Sequence, residues 1–300
     1  MKQLDSGNGP VVYVGEEASV SKTHSRRRSF LKKLKKNKGA LVGAGILFFF
    51  ISMSALAPII GPYPVNEMMF EDSLQGPSAN HWLGTDEFGR DLFTRMLYGG
   101  RVSLLMGLVA VSISGTIGVI LGVVAGYYRR LDMYIMQFMD ILMAFPSLLM
   151  AIAIVSILGV GLTNAMIAVA ISVIPSFVRV VRGSVLSVRE TEYVEASKAL
   201  GVKDGKIIVK HILPNVASPI IVLATIQFGS SILSAAALSF LGLGAQPPNP
   251  EWGALVYVGK SFLSQAWWMT LFPGLAIMLV VLGFNLLGDG LRDALDPRLK

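Results

Sequence analysis

Six long apolar segments, separated by loops whose charges are sharply sorted, leave this chain few ways to fold. A helix that crosses the hydrocarbon core of a bilayer needs about 20 mostly apolar residues, at about 1.5 Å of rise each. Segments 40–60, 102–126, 133–158, 165–181, 216–241 and 270–288 approach or meet that length, the fourth being the shortest. Composition agrees: charged residues make up 15% of the chain and hydrophobic ones 53%, against about 25% charge in soluble domains. The expectation is an all-α membrane protein with six transmembrane helices. The first segment follows 39 residues and has too long an apolar run for a cleaved leader, so it should persist as a signal anchor.

The basic residues fix an orientation. Ten of the 26 Lys and Arg lie within the first 38 residues, directly before an apolar run. This reads as a cytoplasmic membrane-flanking tail, not a nucleic-acid groove. With that tail inside, 22 Lys and Arg fall on the cytoplasmic side. Only Arg90, Arg95, Arg101 and Lys260 fall outside. The positive-inside rule then puts both termini in the cytoplasm. The resulting plan is a basic tail 1–39, a first span 40–60, an extracytoplasmic loop 61–101, a five-helix core 102–288 and a cytoplasmic tail 289–300. On composition the outer loop, with six acidic and three basic residues, could be a plain polar connector.

Within the spans, Gly118, Gly122 and Gly126 recur every four residues, placing them on one helical face where another backbone can approach. Gly122→Leu should therefore harm assembly, and Gly122→Ala should be mild. Pro146 and Pro175 should bend spans three and four, since each removes a backbone donor. Polar residues at membrane depth are few: Gln137, Asp140, Asn164, Gln227 and Asn285. Gln137, Asp140, Gln227 and Asn285 are candidates to line a translocation path. A buried charge there needs water or a partner, so Asp140 either faces that path or pairs with Arg129 or Arg179.

Nothing points to bond chemistry. The chain has no Cys, and His24, His81 and His211 have no metal-ligand spacing. Gly253 and Gly259-Lys260-Ser261 imitate a phosphate-binding loop, but with five intervening residues instead of four and on the outer side. No GxSxG nucleophile motif occurs. A helix-turn-helix wedged between spans could not reach a DNA groove. A stand-alone channel or secondary transporter remains as a rival, to be separated by ATPase measurements with partner subunits.

The cytoplasmic segment 182–215 is the least like a connector, because 34 residues is long for a link between helices. Residues 190–200 read as a short amphipathic helix with Tyr193, Ala196 or Ser197, and Leu200 on one face. Gly201 stands where a left-handed C-cap belongs, Asp204 can cap a second short helix, and Pro214 can start the next span.

These residues carry a resemblance. Glu195-Ala196-Ser197, Gly201 and Ile212-Leu213-Pro214 resemble the "EAA" loop of ABC importer permeases, with Ser197 in place of a usual alanine. In that family the loop docks into a groove on a cytoplasmic ATPase. The outer run 81–91, and the stretches 239–244, 250–253 and 288–297, resemble the C-type subunits of dipeptide and oligopeptide importers. The likeness runs from about Lys38 to the end. It implies a type I ABC importer permease fold with an additional N-terminal span, in a bacterial inner membrane. It also implies a homologous permease as heterodimer partner, two ATPase subunits that bind the ATP and Mg, and an extracytoplasmic peptide-binding protein. This chain would then be non-catalytic and bind no cofactor itself. Nickel and glutathione importers are similar to this group, so cargo is the less determined part.

Overall fold

The computed structural model describes residues 33–295, and the regular elements among them are all helical. Most of the basic tail, 1–32, and the last residues, 296–300, lie outside the described residues. In chain order the helices are α1 (Lys38–Ala55), α2 (Ala57–Ile60), α3 (Leu92–Tyr127), α4 (Arg129–Met143) and α5 (Ser147–Leu158). There follow α6 (Leu162–Arg189), α7 (Glu192–Ala199), α8 (Asp204–Ile207), α9 (Leu213–Phe240), α10 (Trp252–Gly259) and α11 (Trp268–Leu295). Five helical runs are long and apolar enough to cross a bilayer: α1, α3, α6, the run Asp204–Phe240 and α11.

The third expected span, 133–158, is present as a broken one, apolar enough to count as a sixth span only when its two pieces are taken together. It is two helices, α4 and α5, that meet at 90°. Pro146 has no N–H to continue α4 and drives the residue before it away from helical geometry, so the chain turns there. α5, with 12 residues, is about 18 Å long and cannot span the core alone. Pro175 behaves differently, lying inside α6 without ending it. Two-thirds of the apolar stretch of α6 is buried, the largest share among the spans, so packing on all sides holds its course.

The glycine repeat seats α3 on α6. A Cβ on Gly118 would collide with Phe177 Cβ; one on Gly122 would lie 2.7 Å from Val181 Cβ and 2.9 Å from Val178 O. On Gly126 it would stand 2.7 Å from Val185 Cβ. The expectation that Gly122→Ala is mild therefore fails, because even one methyl meets a backbone oxygen and a β-branched carbon that cannot swing away.

α1 is held against α11 by a second close approach. A Cβ on Gly43 would lie 2.6 Å from Gly283 O, and one on Gly290 would collide with Ala40 Cβ. Asn37 accepts from Ala40 N–H and donates to Asp293 Oδ2 at 3.0 Å, pinning the start of α1 to the last turns of α11. The opposite side of α1 shows Phe48, Phe49 and Ile51 outward, as a lipid-facing surface should.

α3 starts ten residues before the expected span. Asp91 caps it, accepting from Thr94 N–H at 2.7 Å. At 36 residues it reaches about 54 Å, so its first turns stand beyond a core of about 30 Å. The outer loop before it is no plain connector. His81, Asp86, Arg90, Asp91 and Arg95 are each at most 4% exposed. Asp86 accepts from the N–H groups of Phe88 and Arg90 and from Arg90 Nε at 2.6 Å, while His81 Nδ1 meets Asp91 Oδ1 at 3.0 Å. Gly89 (φ +75°) passes so close to Met69 O that no Cβ fits. Trp268 donates to Thr85 O, tying the loop to α11.

Glu251 does the same for α10. It caps that helix by accepting from Gly253 and Ala254 N–H at 2.9 Å, and it accepts from Ser103 Oγ of α3 at 3.0 Å. Burial holds its carboxyl above the usual range. Lys260, from the phosphate-loop imitation, lies over the Tyr257 and Phe240 rings at 4.2 and 4.9 Å, a cation–π contact unrelated to phosphate.

Candidate functional site

Segment 182–215 forms one short helix and the foot of a long one. α6 runs on to Arg189, eight residues past the expected end of its span. Arg189 is 8% exposed and donates to Gly126 O and Tyr127 O at 3.0 and 3.1 Å, satisfying carbonyls at the end of α3. α7 then follows, with Glu192 and Glu195 in its first turn and Lys198 in its last, each suited to the helix dipole. It ends at a left-handed Gly201 (φ +73°): Gly201 N–H donates to Lys198 O, and Val202 N–H to Ser197 O. That pair of bonds is a Schellman cap.

The face expected of this helix is corrected. Val194 is its fully buried residue, packed in a cluster with Val185, Ile207 and Ile212. Tyr193 is 45% exposed and Leu200 84%, while Glu195 and Ala196 are exposed and Ser197 is half-buried. One inward anchor holds this eight-residue helix, and its other large apolar side chains stay exposed.

The second short helix is also corrected. α8 continues through Ile208–Ile212 into α9 as one helical run. Leu213 N–H reaches back five residues to Ile208 O, a π-type turn. Pro214, at the first turn of α9, has no N–H to give, and the wider register absorbs the gap. Ile212 is buried, Leu213 half-buried and Pro214 exposed. Asp204 does not cap α8; its carboxylate accepts from Tyr127 Oη at 2.7 Å. Lys198 Nζ sits 4.6 Å from the Tyr127 ring centre, and Asn215 donates to Tyr193 Oη at 3.2 Å. Tyr127 thus joins α7 to α3 and α8. Its part was hidden in the sequence, since a tyrosine at the end of a span usually marks only the interface.

The polar residues at membrane depth separate into two sets. Asp140 pairs with Arg179 Nη2 at 2.7 Å, joining α4 to α6, and both side chains are about half exposed. A second pair, Asp132 with Arg182 Nε and Nη2, lies on the same two helices nearer the start of α4 and the end of α6. Its signal was legible as Asp132 and Asp140 on one helix, and Arg179 and Arg182 on the next. Gln137 is exposed beside Asp140 on α4, Gln227 is half-buried on α9 and Asn285 is exposed on α11. No hydrogen bond among the described residues brings Gln137, Gln227 and Asn285 together. Asn164 donates to Leu158 O and Gly159 O, closing the end of α5.

Residues 118–300 match the family of binding-protein-dependent transport system inner membrane components. The chain belongs to this family. Residues 25–77 match the N-terminal transmembrane domain of oligopeptide transport permease C. A dipeptide transport permease from Alkalihalophilus pseudofirmus is 55% identical over 91% of this chain and 90% of its own. A glutathione transport permease from Pectobacterium atrosepticum is 46% identical over 91% of each chain. A chain of the MetNI methionine ABC transporter, solved in inward-facing conformations, matches with a TM-score of 0.57 and 20% identity, over 67% of this chain and 97% of that one. This protein is accordingly an ABC importer permease with the type I fold.

Proposed function

We propose that this permease carries dipeptides and short oligopeptides inward, as half of a translocation path formed with a homologous permease. The observation that carries the cargo assignment is the 55% identity, along nine-tenths of the chain, to a dipeptide permease. Two ATPase subunits supply ATP and Mg chemistry from the cytoplasm, an extracytoplasmic binding protein delivers the peptide, and lipid surrounds the spans. This chain contributes no bond chemistry. In this reading Glu195, Ala196, Ser197, Gly201, Ile212, Leu213 and Pro214 form the coupling element. The exposed Leu200 and Tyr193 offer the ATPase an apolar contact, and Val194 passes the thrust to α6 and α9. Glu195→Ala is expected to leave membrane insertion intact and to lower coupled uptake about tenfold, as loss of one charged contact implies. Labelled-dipeptide uptake beside ATP hydrolysis in reconstituted complexes checks it. Uptake of nickel or glutathione in place of dipeptides by the same complexes would overturn the cargo assignment.

The proposed orientation puts both termini in the cytoplasm of a bacterial cell, in its inner membrane. The chain has no native Cys, so single cysteines report topology cleanly. An impermeant thiol reagent applied to intact spheroplasts should label Glu71→Cys and leave Lys203→Cys unlabelled. The reverse pattern would invert the orientation.

A further inference from the structure

The outer loop, the end of α9 and α10 enclose a cavity of about 350 Å³, within the range of small-molecule sites. Its wall is mainly apolar, with Phe88, Leu255, Tyr257 and Met269 contributing, but Glu87 and Arg95 also line it. Both carry a polar atom left over by the loop's ion network. Asp86 is held by Arg90, and Arg90 Nη2 reaches Glu87 Oε1 at 3.3 Å. Glu87 Oε2 is buried and meets no hydrogen-bond donor among the described residues. Arg95 Nε, in a side chain 4% exposed, meets no hydrogen-bond acceptor among them. It stands 3.4 Å from Asp86 Oδ2, near enough for charge attraction alone. The Arg95 terminal nitrogens make only long bonds, to Val65 O at 3.3 Å, Asn66 Oδ1 at 3.4 Å and Pro248 O at 3.4 Å.

Buried charged groups with unmade hydrogen bonds are costly, so such a pair is unusual without a use. Glu87 and Arg95, one anion and one cation in the wall of a mainly apolar chamber, complement a molecule with an ammonium, a carboxylate and an apolar side chain. We infer that this cavity is an extracytoplasmic binding site for a zwitterionic short peptide, with Glu87 taking its ammonium and Arg95 its carboxylate. The site rests on the peptide-cargo reading and refines it, since cargo would contact this subunit before entering the path. Burial raises the Glu87 carboxyl above its usual range, and a bound ammonium restores the charged form.

The test uses the assembled importer, purified without its binding protein, and the dipeptide Ala–Phe as calorimetric probe. Saturable binding is expected, weakened at least tenfold by Glu87→Gln, by Arg95→Gln, by N-acetylating the probe and by amidating it. Val258→Trp, which fills the cavity from its apolar wall, should abolish binding with the ion network intact; it decides the matter if either charge variant fails to assemble. Phenylalanine alone should bind at least tenfold more weakly, and equal binding would reassign the site to amino acids. Absence of binding to the wild-type complex, or equal binding by Val258→Trp, overturns the site. Dipeptide uptake by the complete system is measured in parallel. Uptake without this binding discards the cavity site alone, whereas absence of uptake discards the cargo assignment.

Discussion

Gly201→Val is expected to lower peptide uptake at least tenfold while the subunit still inserts and assembles. The backbone at 201 is left-handed (φ +73°), and a Cβ added there would meet nothing within 4 Å. The whole effect must therefore come through the chain's own conformation. A left-handed L-residue costs about 1–2 kcal/mol, and β-branching adds to that. Against it stands one inward anchor, Val194, whose burial contributes about 1.5–3 kcal/mol. The two are comparable, so the turn relaxes and α7 is aimed elsewhere. Gly201→Asn supplies the control, because Asn tolerates this conformation and the space is open. Uptake and ATP hydrolysis in proteoliposomes should show Asn near wild type, with Val hydrolysing ATP without transport. Equal transport by the two variants would remove the turn from the coupling path.

Gly122→Leu should act earlier, on folding. The position opposes Val181 Cβ and Val178 O at under 3 Å, on the most buried span of the molecule. A methyl alone already forces α3 from α6, and overpacking of this kind costs about 1–3 kcal/mol. A leucine must displace the helix by several ångströms. That parts the cluster of Val123, Val181 and Val185 that continues into Val194 and Ile212. Folded subunit recovered by size-exclusion in detergent should fall at least fivefold for Leu and measurably for Ala. Normal recovery of the leucine variant would show that α3 and α6 are not in contact in the membrane.

The parts of this architecture that could be read in advance are those set by local chemistry. Span lengths follow from apolar runs, the turn at Gly201 from the one residue type that takes positive φ freely, and the glycine face from its four-residue period. What could not be read depends on partners distant in sequence. Val194, not Tyr193 or Leu200, faces inward because Ile207 and Ile212 arrive from another helix. The foot of α9 stays continuous because a π-type turn accommodates Pro214, which a proline rule reads as a start. The right angle after α4 is set by Pro146, yet Pro175 leaves α6 unbroken; the difference lies in the burial around each. Of the polar residues at membrane depth, Asp140 could be matched with Arg179 from sequence only as one option among several. The ion network of the outer loop was hidden by composition, since a list of charges does not say which are buried.

The crossing of α1 on α11 has a consequence for synthesis. Gly43 meets Gly283, and Asn37 meets Asp293 across 256 positions of sequence. The first helix can settle early against α3, which is made soon after it, but the face that receives α11 waits in lipid until the last span has been threaded. Nascent chains stalled before residue 283 should therefore leave α1 open to crosslinking by lipid-borne probes, and the closure of that crossing marks the end of assembly.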